Sequence, residues 1–301
     1  MNVLSKISLT MLLTAATLTS GPPAHAGERR YSAMTEAQRK AVADKARATF
    51  AVDTRIELVS APFVGTPYGI SPLGEGEGVD PDPRLRWDLV DCLTFVETSL
   101  ALSLAPSADR LLPVLDDIRY ATLPPQFDRR NHFVEAQWIP NNVAKGYLRS
   151  IVRDIAGPET VVATTEFSVK RWHERADSGE LQLADDVVPT GSFSLDVLPL
   201  QLAAAHPDRI PTGTLLFVVR KDFWRDPTRV SHVGFVLEKN GRKGLRHASK
   251  RPFERVVDEP LAAFFERNSH YDKRPVVGFA LYEIRAPMER IAKLGGVTPV
   301  E

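Results

Sequence analysis

One cysteine, Cys92, stands among the 301 residues of this chain, in the stretch Val90-Asp91-Cys92-Leu93-Thr94-Phe95. A lone thiol is an inert core residue, half of an intermolecular disulfide, or a nucleophile; composition by itself favours the inert case, because free cysteine is among the most buried residue types. Its neighbours argue for chemistry. From Cys92 onward Leu93, Val96, Leu100 and Leu104 recur at helical spacing up to Pro106, with Asp88 and Asp91 at the front. A cysteine at a helix N-terminus faces unpaired N–H groups and the positive end of the dipole, which is expected to lower its pKa. Two histidines supply the rest: His232 starts one apolar run, His247 ends the next, and Asn240-Gly241 between them is a hairpin signal. Their rings are expected side by side at one sheet edge. Thiol, imidazole and imidazole are then a nucleophile, a base and an orienting group. Purely structural histidines remain the plain alternative. Zinc is a further one, although His-x14-His with a single cysteine matches no standard ligand spacing.

These residues need a helix and a sheet to bring them together. Residues 34–50 open with Thr35-x-x-Gln38, a capping-box pattern, and continue in good helix formers. Residues 63–84 are rich in Gly and Pro and read as loop. Residues 107–120 read as a second helix, trimmed or kinked by Pro113. The middle, 121–210, reads as irregular, with one helix around 143–155 and an amphipathic surface helix at Arg171–Arg175. After Gly213 the period changes: 214–220, 231–240, 244–249 and 276–285 are short apolar runs bounded by turns, hence strands. Helices first and antiparallel strands afterwards is an α+β layout.

Compartment limits the chemistry. Residues 1–26 carry Lys6, an apolar run from Ile7 to about Leu18, and Ala24-His25-Ala26, the three-part layout of a secretory signal peptide. The mature protein is expected to begin near Gly27 and to be periplasmic or secreted, without a membrane span. In an oxidising compartment a single cysteine has no partner in its own chain. Lys plus Arg and Asp plus Glu number 38 each, so no charge bias points to nucleic acid.

Asp91-Cys92 opening a helix, then Ser231-His232-Val233-Gly234-Phe235, then Arg246-His247-Ala248-Ser249, resembles the NlpC-type papain-like cell-wall hydrolases. With Gly65-Thr66-Pro67-Tyr68, Arg129-Arg130-Asn131-His132-Phe133 and Trp138, the pattern is most similar to their N-acetylmuramoyl-L-alanine amidase-like branch. Leu93-Thr94 replaces the small Ser-Gly usual in the wider group, and Gly69-Ile70-Ser71 replaces its Trp-Gly-Gly. The resemblance implies a single papain-like α+β domain over 27–301, with the Cys92 helix packed on an antiparallel sheet. It implies Cys92 as nucleophile, His232 as general base and acid, and His247 as the orienting residue. Tyr68 and Asp91 are expected near the cleft; Arg129 or Arg130 is expected to grip a peptide carboxylate, and His132 or Trp138 to line a sugar subsite. The implied substrate is peptidoglycan or muropeptides, cut between N-acetylmuramic acid and L-alanine, with no metal and no cofactor. The alternatives are a D-glutamyl–diamino acid endopeptidase with the same machinery and a non-catalytic wall-binding protein.

Overall fold

The structure is a computed structural model that describes residues 29–175 and 183–295. The expected signal peptide, residues 1–26, lies outside them. The chain opens with α1 (Glu36–Arg47) and α2 (Val52–Ser60), then crosses a long loop to α3 (Cys92–Leu104) and α4 (Leu111–Arg119). Short elements follow: α5 (Ile139–Ala144), β1 (Leu148–Ser150), α6 (Val152–Ala156), β2 (Val161–Phe167), α7 (Val169–His173), β3 (Gly191–Pro199) and α8 (Leu200–Ala205). The last part holds β4 (Leu215–Arg220), β5 (Val230–Lys239), β6 (Arg242–Ser249), β7 (Arg255–Pro260), α9 (Leu261–Ser269), β8 (Val276–Ile284) and α10 (Met288–Lys293).

Local chemistry explains the helix starts. Thr35 accepts the Gln38 N–H while Gln38 accepts the Thr35 N–H, a reciprocal cap on α1. Pro113 falls in the first turn of α4, where a missing N–H has no helical partner to lose, and residues Ala108–Arg110 before it wind as a 3-10 turn.

Among the described residues the strands form one eight-stranded sheet in the order β2-β3-β8-β4-β5-β6-β7, with β1 also paired to β8. Every pairing is antiparallel. Its central strand β4, Leu-Leu-Phe-Val-Val-Arg, is apolar on both faces because both are covered. Leu215, Phe217 and Val219 face a core shared with α1 to α4, whereas Leu216 and Val218 face a second core with α6, α8 and α9. The molecule is therefore helices, sheet, helices. α3 lies inside the first core: from Thr94 to Leu104 every residue is buried, the polar Thr98, Ser99 and Ser103 included. It packs on β5 and β6, the two histidine strands.

The middle region departs from expectation. Residues 121–210 are not irregular, since they supply β1, β2 and β3. The helix expected around 143–155 does not form as one piece. α5 stops at Ala144, Gly146 takes φ +82°, and Leu148–Ser150 instead pair with Ile284–Tyr282 of β8. Pairing with a distant strand outweighs local helical spacing there. Likewise α7 is not simply a surface helix: Trp172 turns inward and packs edge-on against Phe133 at 5.1 Å, in a small satellite cluster.

Candidate active site

Cys92 is the first residue of α3, and Asp91 caps the helix. Asp91 Oδ1 accepts the Thr94 N–H at 2.7 Å, and Thr94 Oγ1 accepts the Asp91 N–H at 2.9 Å. Asp91 Oδ2 accepts the N–H of Ser71, which sits at φ +45°, at 3.1 Å. Both carboxylate oxygens are thus engaged by the chain itself, one capping α3 and the other holding the Ser71 backbone.

The Gly65–Tyr68 segment ties the thiol side to the sheet. The Gly65 and Tyr68 N–H groups donate to Val256 and Glu254 carbonyls at 2.8 and 2.9 Å, along the free edge of β7. The Gly69 N–H donates to Val90 O at 3.0 Å, two residues before the cysteine. Burial, then the nearby charges of Cys92 and Asp91, push the Tyr68 phenol up, so its hydroxyl remains a proton donor beside the thiol.

The two imidazoles meet. His232 Nε2 and His247 Nδ1 are 2.8 Å apart, the rings crossing at 86°. Both pack against Phe264 of α9, with centroids 6.2 and 5.5 Å away. They therefore stand on the α9 side of the sheet with Val236 and Leu245, while α3 covers the other side with Val233 and Phe235. The thiol comes alongside the histidine strand at one place. The β5–β6 ladder ends at Phe235↔Arg246, although β6 stays paired to β7 as far as Ser249↔Arg255. In that gap the Val233 N–H, next along from His232, is directed at the Cys92 sulfur. Gly234 permits the approach of the two strands, because a Cβ there would lie 2.8 Å from both Arg246 O and His247 Cβ.

The electrostatics reverse one expectation. Burial, aided by the Asp91 charge, pushes the Cys92 thiol up to about 12, against the N–H groups of Val233, Cys92 and Leu93 that favour the thiolate. Desolvation of a half-buried residue among apolar neighbours outweighs the helix N-terminus. Burial also holds His232 well below the ordinary histidine value and lowers His247. At neutral pH the thiol and both imidazoles are therefore uncharged.

The remaining expected contacts divide. Trp138 is fully buried and its indole N–H donates to Glu97 of α3 at 2.9 Å, so it anchors the thiol-bearing helix and is not available to a sugar. Glu97 is also gripped by Arg119 at 2.9 Å, a buried pair that holds α3 to α4. Arg130 clamps the Gly- and Pro-rich loop through Glu75 at 2.6 Å and Asp80 at 2.9 Å. Among the described residues the side chain of its neighbour Arg129 makes one hydrogen bond, to Pro124 O at 3.5 Å. His132 is half-buried, 2.7 Å from Phe127 O, and burial lowers it to about 4. It braces the Phe127 turn.

Sequence reasoning missed Glu259. It is 6% exposed on β7, and its Oε2 lies 3.1 Å from His247 Nε2. No local signal marks it, because its partners come from β6 and α9.

A search of curated proteins finds no significant relative. Among solved structures, a Legionella pneumophila protein of the DUF1460 family is 23% identical with a TM-score of 0.71, covering 82% of this chain and 93% of its own. An N-acetylmuramoyl-L-alanine amidase from Bacteroides uniformis is 20% identical with a TM-score of 0.62, over 78% of this chain and 99% of its own. A Bacteroides fragilis protein described as a candidate xylanase is 21% identical with a TM-score of 0.57, over 75% of this chain and 99% of its own. At these identities the likeness is one of fold. The sequence itself matches the AmiA-like family model, described as N-acetylmuramoyl-L-alanine amidase-like, over residues 58–270. That span takes in Tyr68, Cys92, both histidines and Glu259, and the chain belongs to the N-acetylmuramoyl-L-alanine amidase-like family.

Proposed function

We propose that the protein is an exported thiol hydrolase of papain-like arrangement, which cleaves peptidoglycan between N-acetylmuramic acid and L-alanine. The observation that carries the reading is the pair of imidazoles in contact at 2.8 Å, one of them, His232, on the strand whose Val233 N–H points at the only thiol, at the start of a capped helix. A glycosidase reading, by contrast, needs two carboxyl groups flanking a cleft; here the carboxylate next to the imidazoles is bound by Arg267.

In this reading substrate entry displaces water and His232 takes the thiol proton as the sulfur attacks the carbonyl. The tetrahedral oxyanion is stabilised in part by the backbone N–H at the start of α3. His232 then protonates the departing amine, leaving an acyl-enzyme, and activates the water that releases it. Arg129, with no strong partner among the described contacts, is the candidate for the peptide carboxylate. The signal-peptide layout of residues 1–26 supports export to where peptidoglycan lies.

Purified peptidoglycan digested with the protein and analysed by mass spectrometry tests the reading. Release of intact stem peptide is the expected outcome. Stem peptide cut after D-glutamate would make it an endopeptidase, and binding without products would make it a wall-binding protein.

A further inference from the structure

The histidine pair continues into a carboxylate. Glu259 Oε2 lies 3.1 Å from His247 Nε2, and Arg267 of α9 holds both carboxylate oxygens, Nε to Oε1 at 3.1 Å and Nη2 to Oε2 at 2.7 Å. Burial pushes the Glu259 carboxyl up, but hydrogen bonds from His247 and Arg267 outweigh it and hold it below the ordinary value. Glu259 is therefore ionised and only accepts. An acceptor facing His247 Nε2 requires the proton on that nitrogen. A neutral imidazole carries one N–H, so His247 Nδ1 is a lone pair. Across the 2.8 Å contact His232 Nε2 must then be the donor. The nitrogen left without a proton is His232 Nδ1.

We propose that Glu259 is a positioning residue that sets the tautomers of both histidines, so that His232 presents Nδ1 as its basic nitrogen, with Arg267 keeping the carboxylate in place. The catalytic meaning of this rests on the assignment of His232 as base toward Cys92; the tautomers do not. The order of groups is Cys92, His232, His247, Glu259 and Arg267, in which only the first two touch the reacting atoms. Gln in place of Glu259 would break the logic with almost no change of shape. A Gln amide can donate to His247 Nε2, which moves the His247 proton to Nδ1, turns the hydrogen bond to His232 around, and leaves His232 with its proton on Nδ1, facing away from use as a base.

The test is two-bond nitrogen–proton NMR on 15N-histidine-labelled protein, alongside turnover of purified muropeptides. In the wild type both rings should be Nε2–H tautomers. Glu259→Gln should convert both to Nδ1–H and lower kcat by about 10²–10⁴-fold, the range for losing a correctly protonated base, with KM nearly unchanged. Glu259→Asp should keep the wild-type tautomers and an intermediate kcat. Unchanged tautomers in folded Glu259→Gln, or changed tautomers with full turnover, would overturn the proposal. If that variant does not fold, the wild-type spectrum decides alone, since an Nδ1–H form on either ring contradicts it. A wild type that turns over nothing, or one whose turnover survives Cys92→Ala, defeats the functional reading while the spectrum still judges the tautomers that Glu259 sets.

Discussion

At the scale of single residues, burial keeps the Cys92 thiol and both imidazoles uncharged at neutral pH. A thiol pushed up to about 12 by burial is protonated at neutral pH. The rate of Cys92 alkylation by iodoacetamide should therefore keep rising with pH from 7 to 10. A rate already at plateau below pH 7 would instead reveal a preformed thiolate–imidazolium pair. Cys92→Ala should abolish activity. The two histidines should differ in severity: His232→Ala removes the proton carrier of both half-reactions, whereas His247→Gln leaves a hydrogen-bonding group. We expect near-total loss for the former, at least about 10²-fold, and measurable turnover for the latter. Greater activity in folded His232→Ala than in His247→Ala would exchange their roles. His132 offers a stability test. Its folded-state value of about 4 lies below the unfolded value, so the unfolded chain binds protons first as pH falls. Stability contributed by the neutral ring is present at pH 7 and is lost between about 6.5 and 4, so the gap between wild type and His132→Gln in urea midpoint should shrink through that window.

At the scale of elements, two tight fits hold thiol and histidines in register. One is the close approach of β5 and β6 at Gly234. In Gly234→Ala the new methyl group meets backbone at Arg246 and the Cβ of His247, both 2.8 Å away. Strands must part to accommodate it, at a cost of about 1–3 kcal/mol typical of overpacking. The His232–His247 contact should lengthen with them, so activity should fall more than the stability loss accounts for. A variant as active as wild type would show that the strand spacing there is soft. The other fit is Asp91, which holds the first turn of α3 and the Ser71 backbone together. Asp91→Ala should cost about 0.5–2 kcal/mol for the cap, with Asp91→Asn recovering most of it, as read by thermal or urea denaturation.

At the scale of the whole molecule, export and thiol chemistry make linked predictions. Expressed with its leader in a secreting host, the protein should be recovered with Gly27 as its first residue; an intact N-terminus in the exported fraction would remove the signal-peptide assignment. Activity should be unaffected by EDTA, because the facing nitrogens of the two imidazoles are committed to each other and His247 Nε2 to Glu259. Chelator-sensitive activity restored by zinc would return the histidines to a metal reading. Among the described residues no helix is long and apolar enough to cross a membrane.

The parts of this protein legible in its sequence are those governed by neighbours along the chain. Asp91-Cys92-Leu93-Thr94 specifies a capped helix start because the cap bonds span three residues. Asn240-Gly241 specifies a hairpin because the turn needs positive φ at both positions, here +53° and +70°. From the hairpin the placement of both histidines on one face, as diagonal neighbours, follows by strand arithmetic, and the ordered motifs around them carry the family. Tertiary structure decided the rest. In the middle region β2 pairs with β3, and β8 takes up β1 and the end of β3, so the helical spacing of 143–155 yields to strand pairing. Trp138 and Arg130 look like ligand-binding residues until Glu97 and the Glu75–Asp80 loop, each far away in sequence, satisfy them. The height of the Cys92 pKa is set by how completely sheet and helix exclude water, a quantity no local motif encodes. Glu259 was invisible for the same reason: what marks it is its distance to His247 and Arg267, and distances across strands exist only once the sheet has closed.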